Sequence, residues 1–362
     1  MRFFYQRIKN FSLRIWRIFL FFIIFINLKD TKNSNSRVFY GGSRRGHIGG
    51  PLVKVQKLRL EFPEYRNNFN LVYLLSNNSY LSKRSLNLLK TRNVPIIVNQ
   101  NGVYYKAWFK GDYFARNQSM AFGYHLADYV IWQSDFCKTA SNKFLGTRTG
   151  KGEILYNSVD TNLFVPESKN KKLFTFLITG NINKENNYRI ISVIKAFKEL
   201  DNFYKKIHLI IAGNIDDKDF LERKTYEMKL QDKIKFIGKF NQFEAPNIYT
   251  LADAYITLTY QDNCPTAVLE AMSCGLPVLY SDSGGIPELV DNKSGVGLEV
   301  KSNWDTIETP RTKDIVEGML KIMNNNKSMS EAARTRASEK FDIKNWLERH
   351  KVIFNLLLNS KR

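Results

Sequence analysis

Cysteine and histidine are scarce in this 362-residue chain, which contains three cysteines and four histidines. The thiols are Cys137, Cys264 and Cys274, and no two of them have the spacing of a zinc-ligand or redox pair. Three thiols make no disulfide framework, so the composition favours a reducing compartment. The histidines show no metal-ligand pattern, and the Asp-Lys-Asp stretch at 217–219 lacks the preceding apolar strand of a metal-binding loop. We therefore predict that no metal is required.

Acidic residues are also few, since 34 Asp and Glu oppose 55 Lys and Arg and give a formal net charge of +21. The excess is concentrated at the start, where residues 1–62 carry thirteen cations and two anions. Such a field attracts anionic lipid or nucleic acid, unless it reflects only a lysine-rich composition. No basic and aromatic recognition module is visible, so we predict an anionic membrane surface as a partner and no nucleic acid.

The N-terminal segment lacks a hydrophobic run long enough to span a membrane. Its uncharged apolar run, Ile18–Ile26, has nine residues, whereas a spanning helix needs about 20. Arg14 and Arg17 precede the run, and no small-residue cleavage site follows it. We predict a basic, aromatic helix that lies on the cytoplasmic face of the membrane, with a short signal-anchor as the alternative.

The length of the chain suits two domains of ordinary size. After a polar linker, short apolar runs alternate with amphipathic stretches, which is the pattern of stacked βαβ units. We predict a basic hydrophobic segment with linker at 1–35, a first domain at 36–166, a second domain at 167–325 and C-terminal helices at 326–362. The predicted strands are Val38–Tyr40, Leu71–Leu75, Pro95–Val98, Tyr129–Trp132, Ile154–Tyr156, Leu173–Thr179, His208–Ala212, Lys235–Ile237, Ala254–Thr259 and Val278–Tyr280. The predicted helices include Pro51 to about Phe62, Tyr188–Leu200, Thr312 to about Met323 and about Met329 to Leu358.

The most informative stretch, at 262–290, reads DNCPTAVLEAMSCGLPVLYSDSGGIPELV. Its start leads from a strand end into a helix N-terminus, where exposed N–H groups and the positive end of the helix dipole favour a diphosphate. Asp262 and Glu270 can accept hydrogen bonds from the hydroxyls of a sugar and a ribose. Gly284 and Gly285 can supply backbone that adopts positive φ or that carries no side chain. The alternative is that the carboxylates only cap or solvate the helix and that the glycines form an ordinary turn.

This stretch resembles the donor-site signature of the family 4 retaining glycosyltransferases of GT-B fold, in which Glu-x7-Glu is followed by Ala-Met-x-x-Gly-x-Pro-Val and Gly-Gly-x-x-Glu. A weaker resemblance extends over residues 38–300. It implies an α/β protein of two Rossmann-like, doubly wound domains that face a cleft, with C-terminal helices that pack back toward the N-terminal domain. The matching residues are Asp262, Glu270, Ala271, Met272, Gly275, Pro277, Val278, Gly284, Gly285 and Glu288.

The resemblance also implies roles for individual residues. Asp262 would contact the donor sugar and Glu270 the ribose, and Asp in place of the usual first Glu shortens the reach by one methylene. Asn101 and His47 would lie on the acceptor side. A nucleotide sugar would serve as co-substrate, without a further cofactor. The implied donor-binding residues are Gly42, Gly49, Gly50, Gly180, Lys239, Phe240, Asn263, Cys264, Pro265, Thr266, Gly284 and Gly285.

The cation for the leaving diphosphate departs from the family pattern. Asn181 and Asn186 stand where the family often has an Arg and a Lys. Because the leaving group gains charge in the transition state, it needs a positive partner. We predict Lys184 in this role and Arg189 as a weaker candidate; the alternative is that Lys184 is a solvated loop lysine.

The sequence thus predicts a retaining glycosyltransferase that moves a sugar from a nucleotide-diphosphate donor to a glycan or lipid-linked acceptor in cell-surface polysaccharide synthesis. Asn181 and Asn186 support a second hypothesis, a catalytically weak or inactive relative that binds a sugar nucleotide and acts as a scaffold.

Overall fold

The structure, a computed structural model, describes residues 2–27, 35–43, 50–76, 80–167 and 173–360. These residues form two compact units, each built on one parallel β-sheet. The first unit consists of residues 1–156 and 345–362, and the second consists of residues 157–344.

The first unit is a five-stranded sheet whose strands lie in chain order, with every neighbouring pair parallel. The strands β2 and β3 are buried along their whole length, as the apolar sequence of β2 and of the first three residues of β3 predicts for a sheet covered on both faces. The strands are β1 (Val38–Phe39), β2 (Leu71–Leu75), β3 (Ile96–Gln100), β4 (Tyr129–Trp132) and β5 (Gly152–Ile154). The helices up to this point are α1 (Arg2–Ile26), α2 (Gly50–Glu61), α3 (Lys83–Thr91), α4 (Tyr113–Leu126) and α5 (Asp135–Leu145).

The second unit is a six-stranded parallel sheet. Its strands are β6 (Phe174–Ile182), β7 (Ile207–Ile215), β8 (Ile234–Ile237), β9 (Ala254–Thr257), β10 (Val278–Asp282) and β11 (Gly295–Glu299). They lie in the order β11-β10-β9-β6-β7-β8, so the chain direction across the sheet reverses between β6 and β9. In open α/β sheets, ligands bind outside the carboxyl ends of the strands at such a switch point.

Helices complete the second unit and lead out of it. They are α6 (Tyr188–Phe203), α7 (Lys218–Glu227), α8 (Ala245–Tyr249), α9 (Thr266–Ser273), α10 (Ile286–Leu289), α11 (Thr312–Asn324), α12 (Asn326–Lys340) and α13 (Ile343–Asn359). The core of this unit joins α6 and α11 to the sheet through Phe197, Ile211 and Met319, all fully buried.

Two element predictions depart furthest from the structure, and β11 was not predicted. The strand predicted at Ile154–Tyr156 begins two residues earlier, as β5. The helix predicted over about Met329–Leu358 is divided into α12 and α13, because Phe341 and Ile343 exchange backbone hydrogen bonds with Val159 (2.9 and 3.0 Å). Asp342 accepts a hydrogen bond from the Lys344 backbone N–H, which favours a new helix start.

The last helix, α13, packs into the first unit, which confirms the prediction that C-terminal helices return to the N-terminal part of the chain. A directional chain of hydrogen bonds runs through its centre: Asn99 Nδ2 donates to the Tyr73 hydroxyl (2.9 Å), which donates to His350 Nε2 (3.1 Å). His350 Nδ1 in turn donates to the Trp346 carbonyl. Burial lowers the pKa of His350 to about 4. The ring is therefore neutral near pH 7, and its Nε2 can accept a hydrogen bond from the Tyr73 hydroxyl.

The helix α1 has two apolar faces. One face packs on the first unit, where Leu20 and Ile24 are fully buried and Arg92 Nη1 donates to the Ile24 carbonyl at 2.7 Å. Just beyond α1, Asn27 exchanges two hydrogen bonds with the Phe69 backbone. The other face is exposed and carries Phe11, Ile15, Ile18, Phe19, Phe22, Phe25 and Ile26. Among the described residues, no helix combines the length and the apolarity that crossing a membrane would take.

Candidate active site

Two loops at the carboxyl edge of the second sheet, after β9 and after β10, are in direct backbone contact. Gly284 has φ +70°, and a Cβ there would lie 2.5 Å from the Asp262 carbonyl oxygen. The Gly285 N–H donates to this same oxygen at 2.7 Å. The Gln261 N–H donates to Ser283 Oγ at 3.0 Å. Only glycine at 284 permits this approach, and the approach fixes the path of the chain through Asp262.

Asp262 itself is half-buried beside the start of α9. Its Oδ1 accepts a hydrogen bond from the Cys264 N–H at 3.2 Å. Burial raises the pKa of this carboxyl group, while that hydrogen bond and the charge of Arg189 oppose the rise. The carboxylate therefore sits at the switch point with a cation in its electrostatic neighbourhood.

Asn157 holds the segment between Asp262 and α9 through two contacts with Cys264. Asn157 Nδ2 donates to the Cys264 carbonyl at 2.6 Å, and the Asn157 N–H contacts Cys264 Sγ at 3.2 Å. Pro265 occupies the N-cap position of α9 and makes no side-chain capping bond. Asn263, Pro265 and Thr266 are half-buried, and Cys264 is buried. The first amides of α9 therefore start a rigidly held helix whose positive end favours an anion.

Glu270 lies inside the unit, with 7% of its surface exposed. Its Oε2 accepts from the Tyr249 hydroxyl and its Oε1 from Gln242 Nε2, both at 2.9 Å. Burial first, and then the Glu270 charge, raise the pKa of Tyr249 well above its ordinary value. Such burial is incompatible with the alternative that Glu270 merely solvates the surface of α9.

The network around Glu270 reaches the end of β6. The hydroxyls of Tyr249 and Tyr255 lie 3.4 and 3.0 Å from Thr179 Oγ1, and Thr179 directly precedes Gly180. Glu270 is thus connected through Tyr249 to Thr179 of β6, the strand on the other side of the switch point, and the Tyr255 hydroxyl contacts the same threonine.

The two candidate cations have different surroundings. Lys184 is exposed over 73% of its side chain, and its ammonium pairs with Asp217 at 3.4 Å. Arg189, on α6, donates from Nη1 to Thr259 Oγ1 at 2.7 Å, and its charge acts on Asp262. Arg189 is therefore the cation that the structure brings to the end of β9. The sequence signal for it was its place at the second residue of the helix that follows β6.

Glycines line the carboxyl ends of β6, β7 and β8. Gly180 and Gly213 are register partners, and a Cβ on Gly213 would lie 2.1 Å from the Gly180 carbonyl oxygen. Gly213 N–H donates to the carbonyl of Gly238, after which Lys239 is exposed and Phe240 half-buried. At Gly180, Gly213 and Gly238 the sheet presents backbone rather than side chains, whereas the next residues of β6 and β7, Asn181 and Asn214, are joined by a side-chain hydrogen bond of 2.7 Å.

The remaining predicted site residues belong to the first unit. Asn101 follows β3, and its Oδ1 accepts hydrogen bonds from Lys54 Nζ (3.2 Å) and from Gln133 Nε2. Gly42 has φ +76°, and a Cβ there would meet Leu20 of α1 at 2.6 Å, so its missing side chain serves packing. Gly50 is the first residue of α2. The predictions for Gly49 and His47 lie outside the described residues.

No group of three or more potential metal ligands occurs among the residues that the structure describes. Asp217 of the Asp-Lys-Asp stretch instead pairs with Lys184 and accepts a hydrogen bond from Asn187 Nδ2 at 3.3 Å.

The contact at Gly284 predicts a large effect of a single methyl group. In Gly284→Ala the new Cβ would overlap the Asp262 carbonyl and would require a positive φ from alanine. We expect a loss of about 2–4 kcal/mol in the free energy of unfolding, measured by urea titration. Gly238→Ala is the matched control, because a Cβ at 238 meets no atom within 4 Å. Equal stability of the two variants would contradict the close packing of the loops.

Comparison with known proteins links this site to one family. The model of the family described as glycosyl transferases group 1 matches residues 159–339, which include Arg189, Asp262, Glu270 and Gly284. An uncharacterised glycosyltransferase of Methanocaldococcus jannaschii is 26% identical over 194 residues, which are 49% of this chain and 48% of the relative. The O-antigen biosynthesis glycosyltransferase WbnH of Escherichia coli is 28% identical over 228 residues, 62% of this chain and 59% of the relative. The chain thus spans about half the length of the curated relatives it matches.

Solved structures share the fold. The pneumococcal O-GlcNAc transferase GtfA, in complex with UDP and GlcNAc, superimposes with a TM-score of 0.64 at 18% identity, covering 85% of this chain and 60% of that one. HepE of Anabaena, in complex with UDP-glucose, superimposes with a TM-score of 0.62 at 16% identity, covering 88% and 85%. These likenesses confirm the predicted α/β fold of GT-B type. With half of the chain matched by the family model and two Rossmann-like units of this fold, the protein belongs to the group 1 glycosyltransferases, family 4.

Proposed function

We propose that the protein transfers a sugar from a UDP-sugar to a hydroxyl group of a glycan or lipid-linked acceptor, with retention of the anomeric configuration. The observation that carries the proposal is the convergence of Asp262, the α9 N-terminus and Arg189 at the switch point of the second sheet. UDP as the nucleotide is supported by the complexes of GtfA with UDP and of HepE with UDP-glucose. The match to the O-antigen glycosyltransferase WbnH supports a cell-surface glycan as product.

Donor binding follows from the chemistry of these groups. The first amides of α9, at Thr266 and Ala267, would donate to the diphosphate. Asp262 would accept hydrogen bonds from the sugar hydroxyls, and Asn263 and Pro265 would line the sugar. The side-chain-free edge at Gly180, with Lys239 and Phe240 beyond it, would carry the nucleoside.

Glu270 would accept hydrogen bonds from the ribose hydroxyls. Its orientation is already fixed by Tyr249 and Gln242, so binding need not pay for ordering this side chain. Gln242, which donates to Oε1, is only half-buried, so the Oε1 side of the carboxylate is the side nearer the solvent. We therefore assign the Oε1 side to the ribose.

Arg189 would stabilise the leaving diphosphate. As the bond from the anomeric carbon to the β-phosphate oxygen breaks, negative charge grows on that oxygen, and the acceptor oxygen attacks from the same face. The proton of the acceptor hydroxyl passes to the leaving phosphate. A preorganised cation in a partly buried site stabilises this charge more than a solvated one, which favours Arg189 over the exposed Lys184.

The exposed face of α1 would lie on an anionic membrane. The residues Phe11, Ile15, Ile18, Phe22 and Phe25 recur every three or four positions, so they form one stripe along the helix. Arg14 and Arg17, also exposed, flank the stripe with positive charge. An apolar face with flanking cations is typical of helices that lie in the plane of a membrane interface.

Donor binding is tested by thermal shift with UDP-glucose, UDP-N-acetylglucosamine, UDP-galactose and, as a different nucleotide, GDP-mannose. At saturating concentration, one UDP-sugar should raise the Tm by about 5 °C. In Glu270→Gln the shift should fall below about 1 °C, because the amide no longer accepts two ribose hydrogen bonds. Glu299→Gln, an exposed glutamate of the same unit, is the control and should keep the full shift. No stabilisation of the wild-type protein by any member would contradict the proposal.

Turnover separates the two cations and also tests the scaffold hypothesis. Arg189→Gln should lower kcat for donor hydrolysis about 100-fold while changing donor affinity less, because its charge acts mainly on the transition state. Lys184→Gln should change kcat by less than about threefold, since the exposed ion pair with Asp217 contributes little. The reverse order would assign the role to Lys184. Donor binding by the wild-type protein without hydrolysis or transfer would favour the scaffold.

Membrane binding is tested by co-sedimentation with vesicles of mixed phosphatidylcholine and phosphatidylglycerol. The triple variant Ile18→Gln, Phe22→Gln and Phe25→Gln removes apolar side chains that face outward and leaves Leu20 and Ile24 in the core. We expect the partition coefficient to fall at least about tenfold. The control, Val352→Gln with Leu356→Gln, changes exposed apolar positions on α13 and should bind like wild type. Equal losses in both variants would contradict an orientation set by α1.

A further inference from the structure

A cavity of about 360 Å³ opens in the first unit at the carboxyl ends of β2 and β3. The strands contribute Leu75 and Val98 to its wall. The helices α1, α3 and α4 contribute most of the rest, and loop residues complete it. Its position corresponds to the edge at which parallel sheets bind their ligands, yet none of the proposed donor-binding residues lines it.

All charged side chains that line this cavity, among the residues that the structure describes, are cations. Arg17 of α1, Lys83 of α3 and Arg116 of α4 all line it, and no carboxylate is among the lining residues that the structure describes. The Lys83 ammonium lies 5.1 Å from the ring centroid of Phe122, which also lines the cavity. Three cations from three different helices around one cavity favour an anion, and a compact multivalent anion such as a phosphate group most of all.

Apart from three serines, Ser76, Ser82 and Ser119, the rest of the wall is made mainly of apolar and aromatic side chains. Leu74, Leu81, Leu86 and Met120 line it beside the strand residues, and Leu81, Leu86 and Met120 are themselves buried. Free phosphate would gain nothing from such a wall. A ligand that carries a hydrocarbon chain next to its phosphate would bury the chain against these side chains, at about 0.8 kcal/mol per CH2 group.

Two contacts connect the cavity to surfaces with proposed roles. Ser76 lines the cavity and its Oγ accepts a hydrogen bond from the Asn101 N–H at 2.9 Å, so the cavity borders the residue assigned to the acceptor side. Arg17 belongs to α1 and directly precedes Ile18 of the exposed stripe. The cavity therefore adjoins the helix that we assign to the membrane surface.

We propose that this cavity holds the phosphate or diphosphate of a lipid-linked acceptor together with the first carbons of its chain. Lys83, Arg116 and Arg17 bind the phosphate oxygens, the leucines and Met120 contact the chain, and the sugar end lies toward Asn101. The inference rests on the proposed glycosyl transfer and names its acceptor class: an amphiphile with an anionic phosphate, rather than a neutral glycan.

The probe is farnesyl diphosphate, used below its critical micelle concentration in titrations with the full-length protein. Farnesol lacks the anion and inorganic pyrophosphate lacks the chain, so both should bind at least about tenfold more weakly. The double variant Lys83→Gln with Arg116→Gln should raise the Kd for farnesyl diphosphate about tenfold. Arg84→Gln with Arg66→Gln is the matched control: it removes the same charge from exposed positions of the first unit that do not line the cavity, one of them on α3, and should leave the Kd unchanged.

Two results would overturn the inference. Pyrophosphate that binds as tightly as farnesyl diphosphate would make this a site for free phosphate. Equal changes in Kd in the two double variants would mean that the net charge of the protein, and not the cavity, determines the affinity for farnesyl diphosphate. The thermal shift with UDP-sugars, measured on the same wild-type preparation, keeps the tests apart: donor stabilisation without farnesyl diphosphate binding rejects the cavity alone, and the opposite pattern rejects the proposed transferase reaction alone.

Discussion

The contact between the backbone at Gly284 and the carbonyl group of Asp262 is the constraint on which the candidate site depends. It joins the loops after two neighbouring strands, β9 and β10, at a distance that no side chain permits. Asn157 holds the same loop from the other side through the Cys264 carbonyl. These two contacts, at the Asp262 and Cys264 carbonyls, fix the path of the backbone from Asp262 into the first turn of α9. The direction of the helix start, and of the N–H groups that would meet a diphosphate, follows from this path.

The charges at the site are balanced by burial and by hydrogen bonds of defined direction. Glu270 is buried but receives hydrogen bonds on both oxygens, which offset the desolvation of the carboxylate. Two effects on the pKa of Asp262 oppose each other: burial raises it, and the charge of Arg189 lowers it. Groups arranged in this way are ordered before the ligand arrives, and preorganised polar groups are the largest source of electrostatic stabilisation in enzymes. The departure at Asn181 and Asn186 therefore does not exclude the proposed activity, because Arg189 of α6 places a cation whose charge acts on Asp262.

Much of the fold could be predicted from the sequence, because local hydrophobic patterns determine where most strands and helices lie. Apolar runs bounded by glycine or polar residues gave the bounds of β2 and β4 without error and those of β9 and β10 to within two residues. The split between α12 and α13 was missed because it depends on Val159, some 180 residues away in sequence, where no local signal could show it. The second apolar face of α1 was also hidden, since the periodicity of an all-apolar stretch does not tell which side meets protein.

The site was predictable in its residue types and less so in its contacts. The spacing from Asp262 to Glu270 and the paired glycines were visible in the sequence. Of the partners of Glu270, Gln242 lies in the loop between β8 and α8 and Tyr249 is the last residue of α8, and only the folded unit brings them to Glu270. The choice between Lys184 and Arg189 likewise depends on side-chain placement, because both follow β6 within nine residues. The cavity near Asn101 had no sequence signal, since its cations come from three separate helices.

The central claim, that the start of α9 binds a diphosphate next to Asp262, is tested most directly by a crystal structure of the protein with UDP. The account predicts phosphate oxygens about 3 Å from the backbone nitrogens at the start of α9, with the Arg189 guanidinium beside them and the ribose hydroxyls on Glu270. Density for the nucleotide at any other edge of the sheet, or an Asp262 carboxylate turned away from it, would contradict the account.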